Sequence, residues 1–238
     1  MPTPYNLQVT HNCSTCTHRE NFCAMSTESV SMLERIKFTA MYPKGSLLFV
    51  EGEPARGVFV LCSGKVKLTT SSSEGRTLIV RIASPGELLG ASAVLLQKTY
   101  EMSVETIEPC QINFIRAEEF MAWIQNDRNA MMSVARQLSG DYYAAQREIR
   151  SFGLAQTTTE KLARLMLNWC DENGEKTANG GTRLKVLLTH EEIAQMIGTT
   201  RETVTRLLTS LRAKKVIEVK GSTVNVMRMD TLEAMVTV

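Results

Sequence analysis

The sequence predicts an α+β chain: an N-terminal antiparallel β-roll of the jelly-roll type, one long helix, and a C-terminal winged helix-turn-helix. Three observations carry this expectation. Short β-rich runs alternate with turn signals from Met41 to Arg116, a heptad pattern runs from Met131 to Phe152, and two cappable helices flank Gly198 ahead of a closing strand pair. Four segments follow: a cysteine-rich arm 1–28, a β-roll 29–127, a long helix 128–153 and a winged helix-turn-helix 154–238.

In chain order, Ser29–Ala40 reads as a short helix, because Met32, Leu33 and Ile36 fall at helical spacing. Strands are expected at Leu47–Val50, Val58–Cys62, Val66–Thr70, Thr77–Ala83, Glu101–Thr106 and Gln111–Arg116. Glu-Gly-Glu-Pro at 51–54, Ser63-Gly64, Gly75 and Pro85-Gly86 punctuate them. A brief helix at Glu118–Ile124 precedes the long one, Gly153 is expected as a hinge, and Thr157–Asp171 forms the next helix. A loop over 173–182 leads to a strand at Leu184–Leu188, and the chain closes on Ile217–Val219 paired with Thr223–Val226.

In the long helix Met131, Ala135, Leu138, Tyr142, Ala145, Ile149 and Phe152 are spaced 4, 3, 4, 3, 4, 3. That is a heptad seam with polar flanks, which suits a parallel partner helix; packing onto the chain's own β-roll is the alternative. The seven residues are therefore the expected dimer interface.

Thr189 and Glu192 have capping-box spacing at the start of one helix, Gly198 ends it, and Thr200 stands where the next is capped. Val204, Leu207, Leu208 and Leu211 mark the inner face of the second helix, so Arg201, Glu202, Thr205 and Arg206 project outward from its first turns. Arginine can hold guanine O6 and N7 in a bidentate way, and glutamate can accept from cytosine N4, so this helix suits the major groove. Thr189, Thr199, Thr200, Lys214 and Lys215 complete the expected DNA contacts. From Gln195 to Lys220 six basic residues stand against two acidic ones, a local +4 in a chain whose net charge is only +2. Ordinary salt bridges on a solvated face are the bland alternative.

No apolar run approaches a membrane span and no secretory signal is visible, so a cytoplasmic, non-membrane protein is expected. With three histidines, no Ser-His-Asp set and no phosphate-cradling glycine loop, an enzymatic reading is rejected. Cysteines stand at 13, 16, 23, 62, 110 and 170. In a reducing compartment clustered thiols point to metal or redox work. Cys62 and Cys170 read as small buried hydrophobes.

The chain resembles the Crp–Fnr family of bacterial transcription regulators. The residues that carry the likeness are Gly45-Ser46-Leu47-Leu48-Phe49, Val60-Leu61-Cys62-Ser63-Gly64-Lys65-Val66, Pro85-Gly86-Glu87-Leu88-Leu89-Gly90 and Gly198-Thr199-Thr200-Arg201-Glu202-Thr203-Val204-Thr205-Arg206. The resemblance implies a homodimer on double-stranded DNA, two half-sites a helical turn apart, and RNA polymerase as a partner. The Arg201, Glu202, Arg206 trio is similar to that of the cyclic-AMP receptor, which implies a TGTGA-like half-site. Cyclic-nucleotide members place a glutamate after the pocket glycine and an Arg-Ser pair beyond it. Here Ala91 and Tyr100-Glu101 stand there, which argues against a cyclic nucleotide, since a buried phosphate needs a cationic partner.

Cys13, Cys16 and Cys23 offer three thiolates, too few for a closed four-cysteine site. Cys110 matches the place where Fnr proteins supply a fourth ligand, so the resemblance implies a [4Fe–4S] sensor of oxygen, nitric oxide or redox state on Cys13, Cys16, Cys23 and Cys110. The arm departs from Fnr in spacing its second and third cysteines one residue wider. The alternatives are a zinc arm, with His11 or His18 as further ligands, or a redox-thiol switch, on a regulator sensing another small molecule.

Overall fold

The computed structural model describes residues 12, 13, 16, 21–155, 157–177 and 181–236. Two compact units divide between Tyr143 and Ala144, inside the long helix.

The first unit begins with a 3₁₀ turn (Asn21–Cys23) and α1 (Thr27–Ile36). Ser26 caps α1, its hydroxyl accepting from Ser29 N–H at 3.3 Å. There follow β1 (Lys37–Tyr42), β2 (Leu47–Phe49), β3 (Gly57–Ser63), β4 (Val66–Ser71), β5 (Thr77–Ala83), β6 (Leu88–Leu89), α2 (Ala91–Leu96), β7 (Ser103–Thr106), β8 (Cys110–Arg116), α3 (Ala117–Asn126) and α4 (Arg128–Leu154). Two antiparallel four-stranded sheets result, in the orders β1-β8-β3-β6 and β2-β7-β4-β5. This is the expected β-roll. One local expectation fails: residues 37–40 are strand, not helix, because Lys37–Ala40 pair with Ile115–Ile112 of β8. Tertiary pairing overrides local helical spacing there. The short α2, which follows Gly90 at φ 78°, had no strong sequence signal.

Alternation along β3 builds two cores from one strand. Phe59 and Leu61 join Phe49, Leu68, Val104 and Ile112 in a core shared by both sheets. Val58 and Val60 face the other way and pack with Phe22, Val30, Leu33, Phe120, Trp123, Ala130 and Val134. Each fully buried side chain of this size contributes about 1.5–3 kcal/mol. The outer face of the first sheet is thus covered by α1, α3, the start of α4 and the residues just before α1.

Gly153, expected as a hinge, lies within α4. A glycine costs a helix about 1 kcal/mol relative to alanine, which a helix this long absorbs.

The second unit contains α5 (Thr158–Asn173), β9 (Glu175–Lys176), β10 (Thr182–Lys185), α6 (His190–Ile197), α7 (Arg201–Ala213), β11 (Ile217–Lys220), β12 (Thr223–Val226) and α8 (Met229–Ala234). Its sheet runs β11-β12-β10-β9. Leu162, Met166, Leu184, Ile193, Ile197, Val204, Leu211, Val216 and Val226 form its core. β10 starts two residues earlier than expected and ends at Lys185, because its register is set by Thr182↔Val226 and Lys185↔Thr223. β9 lies inside the expected loop, and α8 follows the strand pair that was expected to close the chain. Among the described residues no helix is long and apolar enough to cross a membrane.

Candidate nucleic-acid interface and thiol pocket

The helix pair is held by its caps. Thr189 N–H donates to the Glu192 carboxylate at 2.9 Å, and Glu192 N–H donates to Thr189 Oγ1 at 3.2 Å, closing the capping box. Gly198 takes φ 65° and its N–H bonds Ala194 O, which ends α6 and turns the chain. Thr200 then caps α7, accepting from Thr203 N–H at 3.3 Å. Val204 and Leu211 are buried, whereas Arg201, Glu202, Thr205 and Arg206 are exposed. Among the described residues, Arg201, Glu202 and Arg206 take part in no ion pair. This face therefore keeps its charged groups free, and the ordinary salt bridges of the bland alternative are missing from it.

Thr205 is differently placed. Its hydroxyl donates to Arg201 O at 2.9 Å and lies 2.9 Å from His190 Nδ1, so its hydrogen bonds are already used within the helix pair. His190 ties α6 to α7 and was not singled out in the sequence; being the first residue after the capping Thr189 was its only signal. Thr199 is half-buried, and Thr189 and Thr200 serve as caps.

Lys214 and Lys215 are exposed at the far end of α7. Lys215 sits at φ 56°, in the left-handed region. Its N–H bonds Arg212 O at 2.9 Å while Val216 N–H bonds Leu211 O at 2.9 Å, the paired pattern of a Schellman cap. A lysine there bears strain that glycine would not. Lys215→Gly should therefore stabilise the protein by about 1 kcal/mol while weakening binding to all DNA sequences alike. A denaturant titration beside a salt-dependence series checks both signs; a destabilised Lys215→Gly variant would contradict the cap assignment.

In the first unit, Cys13, Cys16, Cys23 and Cys62 line one pocket together with Asn12, Met25, Val30, Leu33, Leu61 and Gly86. Cys13 is tied in place: its N–H donates to Glu34 Oε1 at 2.7 Å, and its Sγ receives Asn113 Nδ2 at 3.3 Å and Lys37 Nζ at 3.4 Å. Thr39 Oγ1 donates to Asn113 Oδ1 at 2.7 Å, which turns the amide's NH₂ toward the sulfur. Lys37 also pairs with Glu34 at 3.0 Å, and its side chain is only 8% exposed. Burial pushes the Cys62 and Cys23 thiols up to about 12, with added repulsion from the neighbouring thiols and partial relief from Lys37. Burial alone would lower the Lys37 ammonium, but Glu34 and Cys13 hold it above its usual value. Among the described residues no three His, Cys, Asp or Glu side chains form a ready metal site.

At the opposite core, Tyr100 is buried and stacks on Phe49 with ring centroids 4.0 Å apart. Its hydroxyl donates to Gly57 O at 2.7 Å and accepts from Gly57 N–H at 3.3 Å. The ring presses on Gly90, where a Cβ would come within 2.9 Å of it.

Residues 40–127 match the family described as cyclic nucleotide-binding domain, and residues 160–235 match the Crp-like helix-turn-helix domain. The chain is 27% identical over 184 residues to the cAMP-activated global transcriptional regulator CRP of Pasteurella multocida, covering 77% of this chain and 87% of that one. It belongs to the Crp–Fnr family of transcription regulators. Two solved folds of this type are similar throughout. FixK2 from Bradyrhizobium japonicum has a TM-score of 0.72 at 19% identity, covering 85% of this chain and 98% of its own. The c-di-GMP responsive regulator CLP of Xanthomonas campestris has 0.75 at 21%, covering 84% and 99%.

Against the Fnr-type expectation, the structure does not bring Cys110 to the other three cysteines. Cys110 is fully buried, and its Sγ approaches Glu108 O at 3.2 Å and Lys65 O at 3.4 Å. Alternation along β8 explains it: Cys110 and Ile112 face the core between the sheets, whereas Asn113 reaches Cys13 on the other face. Cys62, read from sequence as a plain core thiol, is the one on the arm's side.

Proposed function

We propose that this Crp–Fnr chain is a homodimeric, sequence-specific DNA-binding regulator that reads a TGTGA-like palindrome. In this reading its β-roll responds to oxygen, nitric oxide or redox state through an iron–sulfur cluster on the thiol pocket. The observation that carries the DNA half is the set of uncommitted charged side chains, Arg201, Glu202 and Arg206, on the first exposed turns of a doubly capped helix. Such groups can turn toward base edges without breaking an ion pair within the chain. Selection from random duplexes should enrich inverted repeats of TGTGA-like half-sites; enrichment of unrelated or unpaired sites would sink the assignment.

The dimer half is supported by α4. Met131, Ala135, Tyr142, Ala145 and Ile149 are exposed, and Leu138 is half-buried against its own unit. The side chain of Phe152 lies outside the described ones. Val134 and Ala130 fasten α4 to the β-roll from a different stripe, which leaves the seam for a partner helix.

For the sensor, the donor set is all thiol, which suits iron–sulfur or zinc and no hard cation. Bound there, a cluster would supply oxidant- and nitric-oxide-sensitive chemistry. The chain's part is to hold the sulfurs in an apolar pocket, with Lys37 and Asn113 donating to Cys13. A structural zinc is separated from a cluster by anaerobic metal and sulfide counts. Cyclic nucleotide is disfavoured in this reading, since Tyr100 and Glu101 stand where cyclic-nucleotide members carry Arg-Ser, and the Tyr100 hydroxyl is already bonded to Gly57 O. Cyclic AMP at millimolar concentration should leave thermal stability and DNA affinity unchanged; a saturable rise in melting temperature would contradict this.

A further inference from the structure

We infer that Cys62 supplies the fourth thiolate of a metal centre with Cys13, Cys16 and Cys23, the position that the Fnr-type resemblance gives to Cys110. The inference deepens the sensor reading above and rests on it for the identity of the metal, but not for the ligand set.

Two independent features place Cys62 in that role. It lines the same pocket as the three arm thiols, whereas Cys110 does not; the four sulfurs surround that pocket without being drawn to ligand distance, and a bound metal would gather them. It is also the extra residue of a β-bulge: Leu61 pairs with Ile112 and Ser63 with Gln111, so Cys62 has no opposite residue on β8. A bulge interrupts the ladder and leaves the residue it carries without a cross-strand partner to pack against. Cys62 follows Val58 and Val60 in the alternation of β3, so its thiol leaves the sheet on the side where those valines meet the residues before α1. The surroundings complete a place for sulfur-bound charge. Four thiolates carry excess negative charge, and the nearly buried Lys37 ammonium and the Asn113 amide both donate to Cys13. Met25, Val30 and Leu33 wall the pocket with apolar surface that keeps water from the sulfurs.

Cys110 lacks every one of these. It packs so closely under Gly64 that a Cβ on that glycine would stand 2.6 Å from its sulfur. Reaching the arm would require it to pass through the sheet.

The test uses the full-length protein under anaerobic conditions, loaded either with ferrous iron and sulfide or with cobalt(II) alone. Cys62→Ser should lose the iron–sulfur absorption and the bound iron on desalting, and should lose the tetrathiolate charge-transfer band with cobalt. Cys110→Ser should keep both. Loss from Cys110→Ser with retention in Cys62→Ser, equal loss from both, or loss from neither overturns the assignment. Folding of each variant is checked by its melting curve. Should Cys62→Ser not fold, the wild-type apo-protein decides: mild oxidation with diamide should join Cys62 to an arm cysteine, mapped by peptide mass, and metal loading should block the link. An arm link to Cys110, or none to Cys62, overturns the proposal. A four-thiolate cobalt spectrum without any iron–sulfur cluster keeps the ligand set and removes the cluster from the function proposed above.

Discussion

Arg206→Ala and Arg201→Ala are each expected to weaken binding to a TGTGA-type palindrome by about 1–3 kcal/mol per half-site. Over two half-sites that is roughly 30-fold to 10⁴-fold in affinity. The effect should be confined to specific DNA, because one charge removed from the whole face changes non-specific attraction only modestly. Neither substitution should disturb folding: both side chains are exposed, and neither joins an ion pair among the described residues. Stability is carried by the other face of α7, through Val204 and Leu211. Fluorescence anisotropy with palindromic and random duplexes at two salt concentrations separates the contributions. An Arg206→Ala variant that lost the same factor on both duplexes would show a phosphate contact and remove Arg206 from base reading.

The DNA-reading half was legible in the sequence because its determinants are local. A capping box needs only Thr189 and Glu192, a helix stop needs Gly198, and the inward face follows from the spacing of Val204 and Leu211. Helix caps and periodicity act within a few residues, so no knowledge of the fold is required. The thiol pocket is the opposite case. Which face of a strand a cysteine takes depends on register and on bulges, and these are set by partners far along the chain. Cys62 and Cys110 look equally strand-like in sequence, yet β3 bulges at one and β8 turns the other inward. The pairing of Lys37–Tyr42 with β8 is non-local in the same way, and it overrode a helical spacing that was correct only as far as Ile36. His190 falls between the two cases, since its bond to Thr205 joins residues 15 apart through a turn.

The dimer is expected to persist with or without metal. All seven seam positions, Met131, Ala135, Leu138, Tyr142, Ala145, Ile149 and Phe152, are uncharged. Two of the most exposed apolar side chains of α4 lie on that stripe, Tyr142 at 67% and Ile149 at 73%. Leaving them in water costs free energy that a parallel partner helix would recover, and no charge on the seam opposes the approach. In the proposed reading, control would then act within a standing dimer, on its DNA-reading helices, and not through assembly. Ala145→Asp tests the seam itself: a parallel pair brings the two carboxylates together at one level of the interface. Like charges so placed cost several kcal/mol, so the dissociation constant should rise by about 100-fold or more. Sedimentation of wild-type apo and metal-loaded protein at micromolar concentration should give dimers in both states. The Ala145→Asp variant should sediment as a monomer and lose its preference for palindromes over single half-sites. A monomeric wild-type apo form beside a dimeric loaded form would make assembly the switch. A dimeric Ala145→Asp variant would place the interface on another face of the chain.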